Sequence, residues 1–170
     1  MGTTQAFPET QIRERVVVND LHEVFGLDAL ESSKAITVEV TNPDFDAYFG
    51  RIAYAKGGCL LRMIEHFLTE DTFKKGVRAY LKEYQYGNAE TKDLWASLTS
   101  AAADQLPDNL NISVIMSGWT KQPGYPVVTF NGEKLSQTRF FLNATGNATK
   151  QINIQIAYLN EQWIIWPLSH

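Results

Sequence analysis

Histidine stands beside glutamate twice in this chain, and these residue types can hold a zinc ion and act as a general base. The first pair is His22 and Glu23. A zinc-binding helix needs a second histidine three residues after the glutamate, because two imidazoles one turn apart then face one metal. Gly26 occupies that position, so we interpret His22 and Glu23 as an ordinary surface pair.

The second pair, Glu65 and His66, tests the inverted zinc pattern, which needs a histidine three residues before the glutamate. Arg62 occupies that position. Cys59 could act as a nucleophile only beside a histidine and an orienting group, and we interpret it as a buried structural cysteine. Residues 56–58 place lysine before glycine, the reverse of the order in a phosphate-binding loop. We therefore predict no metal site and no self-contained catalytic centre in this chain.

The composition describes a folded and mildly acidic chain. Its 170 residues carry a formal net charge of -4, and 44% of them are hydrophobic, enough to bury a substantial core. The acidic balance, without a stripe of Lys or Arg, argues against nucleic acid or an anionic membrane as the main partner. No apolar run approaches the roughly 18 residues of a membrane-spanning helix, and a single cysteine cannot form an internal disulfide.

Three Asn-x-Ser/Thr triplets make Asn111, Asn143 and Asn147 candidate N-glycosylation sites. Glycosylation at such sites takes place in the secretory pathway, so the triplets favour a secreted or cell-surface protein. The first residues lack the basic and apolar regions of a signal peptide. The expectation of an extracellular location therefore depends on the triplets.

Apolar residues at three- and four-residue spacing predict helices through the first 122 residues. Residues 45–68 form the clearest helix, although Gly57 and Gly58 inside it cost roughly 1 kcal/mol each and should be offset, for example by close packing. Thr69 is the predicted N-cap of the next helix. An aromatic stripe is interpreted as core packing between consecutive helices, and it consists of Phe73, Tyr80, Tyr84 and Trp95. Further helices are predicted for residues 9–30, from residue 91 to residue 102, and around residues 112–119.

The pattern changes to strands after Pro123. Residues 126–130 and 136–142 are β-rich, and Asn131 with Gly132 between them is a hairpin signal. Later strands are predicted at residues 152–156 and 163–166. We place a domain boundary near Pro123, with one domain at 1–122 and a second, truncated β-domain at 123–170. About 48 residues give only three or four strands, few for an independent sheet domain.

Two long segments resemble the aminopeptidase N family of zinc metallopeptidases, the gluzincin aminopeptidases. Residues 49–63 read FGRIAYAKGGCLLRM and are similar to the family helix F-D-x-I-x-Y-x-K-G-x-x-[VL]-[LI]-R-M. Residues 115–128 read IMSGWTKQPGYPVV and are similar to the signature I-M-x-x-W-T-x-Q-x-G-[YF]-P-[VL]-[VI]. The match runs from about residue 28 to residue 166. The sequence departs from the family pattern at Gly50, where the family has an acidic residue, and at Lys34, where it has histidine.

The resemblance implies an α+β fold. Residues 1–122 would be the helical C-terminal part of a thermolysin-like catalytic domain, and residues 123–170 the start of an incomplete β-sandwich. Zinc would be the cofactor of the parent enzyme, its ligands would precede this region, and peptides would be the substrates. The partners of this piece would be the missing catalytic and C-terminal helical domains of its own parent. The three triplets fit an ectodomain of the cell-surface branch, of the insect membrane alanyl aminopeptidase type.

The resemblance carries one catalytic residue into this sequence, Tyr54. The matching tyrosine of the family donates a hydrogen bond to the oxyanion that develops when zinc-bound water attacks the scissile carbonyl. A phenol remains a donor at neutral pH, and one such preorganised donor contributes roughly 3 kcal/mol to transition-state stabilisation. Without the resemblance, an aromatic side chain packed on a helix would be the simpler interpretation of Tyr54.

Two other classes remain open. The chain could be a non-catalytic binding module or receptor fragment derived from an aminopeptidase, and an upstream His-Glu-x-x-His motif in the gene would decide against that. A helical repeat scaffold is the weaker alternative, because residues 70–104 give one helix pair and no repeating period. Since the zinc ligands are absent, we expect these 170 residues alone to bind no zinc and to have no peptidase activity.

Overall fold

The structure, a computed structural model, describes residues 15–38, 50–106, 111–143, 152 and 154, together with the backbone of 158–159 and 162–163. It divides into two compact units. The first takes its described residues from Met1–Leu60 and Thr120–Asn153, and the second from Leu61–Trp119 and Ile154–Leu168. No helix in the described ranges is long and apolar enough to cross a membrane.

Helices dominate both units. Two of them begin as wide π-helical turns: π1 (Val16–Leu21) leads into α1 (His22–Asp28), and π2 (Ile52–Lys56) leads into α2 (Gly57–Leu68). The remaining helices are α3 (Glu70–Glu83), α4 (Thr91–Ala101) and α5 (Ile112–Lys121). The predicted helices are thus confirmed over their described parts, while residues 9–14 and 45–49 lie outside the described ranges.

The strands form two small antiparallel sheets. β1 (Pro126–Phe130) pairs with β2 (Leu135–Arg139), with Pro126 opposite Arg139 and Phe130 opposite Leu135. The turn between them has four residues, and the Asn131 side-chain oxygen accepts the N–H groups of Glu133 (3.1 Å) and Lys134 (2.8 Å). β3 (Tyr158–Leu159) pairs with β4 (Gln162–Trp163). Helices with small antiparallel sheets make an α+β fold, as predicted.

The second unit is packed through apolar helix faces. α5 buries Ile112, Ile115, Met116 and Trp119, which recur at the three- and four-residue spacing of one helical face. The Thr99 hydroxyl of α4 accepts the N–H of Ile112 at 3.3 Å, which ties the start of α5 to α4.

Helices α3 and α4 approach each other closely at Gly76. A Cβ on Gly76 would stand 2.8 Å from the Leu98 Cδ2 and 3.1 Å from the Leu98 Cα. Close packing was the example given of a reason that would offset Gly57 and Gly58. It does not apply there, because, apart from chain neighbours and the adjacent backbone of the same helix, a Cβ at either position meets no described atom within 4 Å. In the second unit, close packing requires a glycine at Gly76.

Thr69 occupies the N-cap position of α3, as predicted, but its side chain makes no capping hydrogen bond. Its hydroxyl instead lies 3.4 Å from the Thr72 hydroxyl, and its backbone has a φ of 68°. The carbonyl oxygen of Thr69 accepts the N–H of Phe73 at 3.0 Å. The helix therefore starts where the sequence predicts, through backbone rather than side-chain bonding.

Candidate functional site

The predicted catalytic residue, Tyr54, lies in the middle of π2 (Ile52–Lys56) in the first unit. The residue is 65% exposed, so its phenol group is open to a ligand. This arrangement differs from an aromatic side chain packed into a core. π-Helical turns are rare and occur frequently at functional sites.

Arg51, directly before π2, connects that turn to the helix formed by π1 and α1. Its guanidinium forms an ion pair and two hydrogen bonds with the Glu23 carboxylate, and it also donates to the Asn19 carbonyl oxygen at 3.2 Å. The hydrogen bond with Glu23 raises the pKa of Arg51 above its ordinary value. Glu23 and His22 are both exposed, and Glu23 serves this ion pair.

A buried ion pair lies at the end of π2. Lys56 is 1% exposed, and its Nζ lies 2.8 Å from the Asp28 Oδ2. The Lys56 ammonium also donates to the carbonyl oxygens of Gly124 (3.0 Å) and Gln122 (3.4 Å). Burial lowers the pKa of Lys56, and the neighbouring Asp28 carboxylate opposes that shift. All three donor positions of the ammonium thus have partners.

The Asp28 carboxylate is equally well satisfied. Its Oδ1 accepts the Ser33 hydroxyl at 2.6 Å and the Gly124 N–H at 2.8 Å, while its Oδ2 faces Lys56. Buried charges are tolerated when they are paired and hydrogen-bonded in this way. The pair therefore fixes the end of α1, the end of π2 and the segment around Gly124 to one another within the first unit.

Arg139, at the end of β2, completes this buried cluster. It donates to the carbonyl oxygens of Leu30 (2.8 Å) and Asp28 (3.4 Å), and its guanidinium lies 4.6 Å from the Phe141 ring centroid. Gly124 has a φ of +85°, and a Cβ there would stand 2.8 Å from the Arg139 Cγ. Only glycine meets both conditions at position 124. We refer to Asp28, Lys56, Gly124 and Arg139 as the polar cluster.

Aromatic rings lie beside the polar cluster. Tyr125 contacts Phe25 edge to face, with centroids 4.7 Å apart, and stacks on Phe140 at 5.3 Å. Burial, together with the negative charge of Asp28, raises the pKa of Tyr125 to about 12. The phenol of Tyr125 therefore stays protonated throughout the physiological range.

A cavity of about 250 Å³ lies next to π2 in the first unit. It is lined by residues 32–36 and 50–53, together with Leu27, Leu30 and Val38. Lys34 and Arg51 provide the charged groups of this lining. Tyr54 itself is not among the lining residues, so the cavity and the exposed phenol are separate features.

The described residues contain no group of three His, Cys, Asp or Glu side chains that could hold a metal ion. His22 and His66 are exposed, and Cys59 is buried, as predicted for a structural cysteine. His170 lies outside the described residues. The donor set described here does not fit a zinc ion, so we derive no catalytic step through one from these residues.

The glycosylation candidates fall into two groups. Asn111 and Asn143 are exposed, while Asn147 lies outside the described residues. The Asn111 side-chain oxygen accepts the Ser113 N–H at 2.7 Å, next to the start of α5. Exposure is what an acceptor site requires, and modification of these residues stays a prediction.

From the sequence, a catalytic role is predicted for Tyr54 and no role is predicted for the polar cluster. A signal was available, because Lys56 and Gly124 stand in the two motif segments and Lys56 is a charged residue within an apolar helix pattern. Arg139 gave no comparable signal. Arg139 reaches the polar cluster because β2 pairs antiparallel with β1, and periodicity does not show such pairing.

Comparison with known proteins gives consistent matches. The peptidase family M1 domain matches residues 1–119. Glutamyl aminopeptidase from Homo sapiens is 38% identical over 88% of this chain and 15% of its own length. Aminopeptidase N from Oryctolagus cuniculus is 38% identical, and that from Bos taurus 36% identical, each over 99% of this chain and 18% of its own length. The chain thus spans less than a fifth of these relatives.

The fold and these matches define a peptidase-type chain. The family match covers more than half of the residues, and each of the three relatives is named as an aminopeptidase. The chain belongs to peptidase family M1, and its resemblance to the aminopeptidase N family is confirmed. The insect-type assignment and the domain boundary after residue 122 stay predictions.

Proposed function

We propose that this chain is part of a zinc-dependent aminopeptidase and that Tyr54 supplies the hydrogen bond that stabilises the tetrahedral oxyanion. The observation that carries the proposal is the exposed Tyr54 side chain on a turn whose neighbours are held on both sides. Arg51 pairs with Glu23 before it, and the buried Lys56 pairs with Asp28 after it. Family membership supports the peptidase class, and the relatives supply the aminopeptidase type by their names.

The chemistry needs a donor that is fixed before the reaction begins. When water attacks a peptide carbonyl, negative charge develops on the carbonyl oxygen, and a positioned phenol O–H can donate to it without reorganisation. Such a donor stabilises the transition state more than the ground state, because the charge exists only there. The loss of Tyr54 should therefore lower kcat more than it changes KM.

The parts of the reaction that this chain does not supply belong to the complete protein. We propose that the zinc ligands and the general base precede residue 1, that residues 1–122 end the catalytic domain, and that residues 123–170 begin a β-domain. The 170 residues alone are then inactive and bind no zinc. We further propose an extracellular, membrane-associated location, with peptides as substrates.

The experiment is Tyr54→Phe in the complete protein encoded by the gene. Hydrolysis of an aminoacyl chromogenic substrate should show kcat lower by about 10²- to 10³-fold, with little change in KM. Tyr86→Phe is the matched control, since Tyr86 is a fully exposed tyrosine of the second unit. It should keep wild-type kinetics.

Two outcomes would count against the proposal. If Tyr54→Phe keeps kcat within threefold of wild type, Tyr54 is not the oxyanion donor. If the complete protein hydrolyses no aminoacyl substrate and its gene encodes no His-Glu-x-x-His motif, the chain belongs to a non-catalytic binding module of the same family.

A further inference from the structure

A charged side chain is buried two residues from the exposed tyrosine. Lys56 is 1% exposed, whereas Tyr54 is 65% exposed, although both belong to the five-residue turn π2. Residues two apart in a helix point to roughly opposite sides, about 200° apart for the α-helical period. The turn is therefore held from its inner side by Lys56 while its outer side presents Tyr54.

The inner side is held by directional contacts. The Lys56 ammonium meets the Asp28 carboxylate at 2.8 Å and the carbonyl oxygens of Gly124 and Gln122 at 3.0 and 3.4 Å. These partners lie on two separate segments of the first unit, so they restrict rotation of the turn as well as its distance from the core. Apolar packing of the same side chain would restrict its position much less sharply, since dispersion contacts have no preferred direction.

A single buried ion pair is weak evidence for a stabilising role. Replacement of both charges by neutral groups of similar volume is often neutral or stabilising, because the desolvation of two charges cancels most of their attraction. A buried, fully satisfied pair next to the exposed Tyr54 side chain is better explained by geometry than by stability. The misplacement of a catalytic group by about 1 Å can cost 10²-fold in rate.

We infer that the Lys56–Asp28 pair positions Tyr54, so that Lys56 acts on the reaction through the tyrosine and not by contact with substrate. This inference rests on the proposed role of Tyr54. Lys56 is then a positioning residue, and Asp28 is its partner in that task. The pair holds the phenol at the place where the oxyanion will develop, before substrate arrives.

The test separates positioning from stability with a double variant in the complete protein. Lys56→Met with Asp28→Asn removes both charges and keeps an oxygen at position 28 to accept from Ser33 and from the Gly124 N–H, as the Asp28 Oδ1 does now. The expected result is a kcat lower by roughly 10-fold with KM within threefold of wild type. The thermal midpoint should stay close to that of the wild type, because the charges leave together.

The decisive comparison is Tyr54→Phe in both backgrounds. In otherwise wild-type protein it should lower kcat by about 10²- to 10³-fold, and in the double variant by less than about fivefold, since a phenol that is already misplaced has less to lose. An equal cost in both backgrounds would overturn the inference and leave the role of Tyr54 intact. If Tyr54→Phe lowers kcat only slightly in the wild-type background, that result would instead contradict the proposed function itself.

Gly76→Ala provides the control for general destabilisation, because it crowds Leu98 in the second unit and touches no residue of the polar cluster. In that background Tyr54→Phe should retain its full cost. Amide hydrogen exchange adds a readout that does not depend on activity. The double variant should exchange at least about 10-fold faster in residues 52–56 but not in α3, and unchanged exchange there would contradict the anchoring role.

Discussion

Each of the two units is stabilised internally by a different kind of interaction. The first contains the polar cluster, in which Asp28, Lys56 and Arg139 are all buried and bonded to named partners. The second packs α3 against α4 through Gly76 and Leu98, and α5 buries one apolar face. Directional bonds fix orientation in the first unit, whereas shape fixes distance in the second.

This difference matches what each unit presents. In its proposed role Tyr54 would meet a developing charge, which needs a fixed orientation, and Tyr54 is next to the directional contacts. A helix layer that only has to fill space tolerates volume-conserving exchange of its apolar residues at small cost. We therefore expect the two regions to respond differently to the same kind of substitution.

The largest effect should come from breaking the polar cluster on one side. Lys56→Met alone leaves the Asp28 carboxylate buried without its cation and should lower the free energy of unfolding by about 3–5 kcal/mol. Adding Asp28→Asn should recover most of that loss. Urea unfolding of the two variants measures both values. If the single variant loses less than about 1 kcal/mol, the pair is not held as the structure shows.

The matching test of the apolar region is Gly76→Ala. Its Cβ would come within 3.1 Å of the Leu98 Cα, which is a backbone atom of α4. Overpacking of this kind lowers the free energy of unfolding by roughly 1–3 kcal/mol, and we expect a loss of about 2 kcal/mol for this variant. Gly58→Ala is the control in α2, because, apart from its chain neighbours and the adjacent backbone of the same helix, no described atom lies within 4 Å of its Cβ position. It should be neutral or stabilising, by up to about 1 kcal/mol.

A substitution at Thr69 should have a smaller effect on the free energy of unfolding, and it should raise that free energy instead of lowering it. A β-branched residue at φ 68° and ψ 153° is in a region that glycine favours. Thr69→Gly should raise the free energy of unfolding by about 1 kcal/mol, since its side chain makes no capping bond that would be lost. Thermal unfolding measures the change. A clear destabilisation would show that the Thr69 contact with Thr72, at 3.4 Å, is worth more than the backbone strain.

The same contrast explains what the sequence could predict. Helical spacing indicated α2 to α5, since apolar periodicity is a local property that survives in the fold. The motif segments indicated Tyr54, and the family matches confirm the resemblance that pointed to it. The partners of Lys56 could not be predicted, because Asp28 and Gly124 are 28 and 68 positions away and periodicity carries no information on such pairs.

Gly76 shows the limit from the apolar side. The sequence places it in a helix but not opposite Leu98, because the angle between α3 and α4 depends on side-chain shapes along both helices. The pair Gly57 and Gly58 looked more unusual in the sequence, yet it has no close neighbour in the described residues. The sequence around a glycine therefore predicts how much helix stability the glycine costs, but not which residue packs against it.

The smallest predicted effect concerns Tyr125, which lies between the polar cluster and the aromatic rings. Burial and the Asp28 charge raise the pKa of Tyr125 from 10.0 to about 12, so the folded state favours the protonated phenol. This contribution to stability is complete below pH 10 and is lost as the pH rises from about 10 to about 12. Because the side chain is partly exposed, we expect it to amount to less than about 1 kcal/mol.

Tyr125→Phe isolates this contribution, since the ring contacts with Phe25 and Phe140 remain possible. Urea unfolding between pH 9 and pH 12 should show that the wild type loses slightly more stability than the variant. The lowered pKa of Lys56 acts with the opposite sign, because the unfolded chain then binds more protons, but both proteins share it and the difference removes it. Parallel curves would mean that Tyr125 ionises as freely in the folded protein as in water, and that Asp28 acts on Lys56 and not on the aromatic rings.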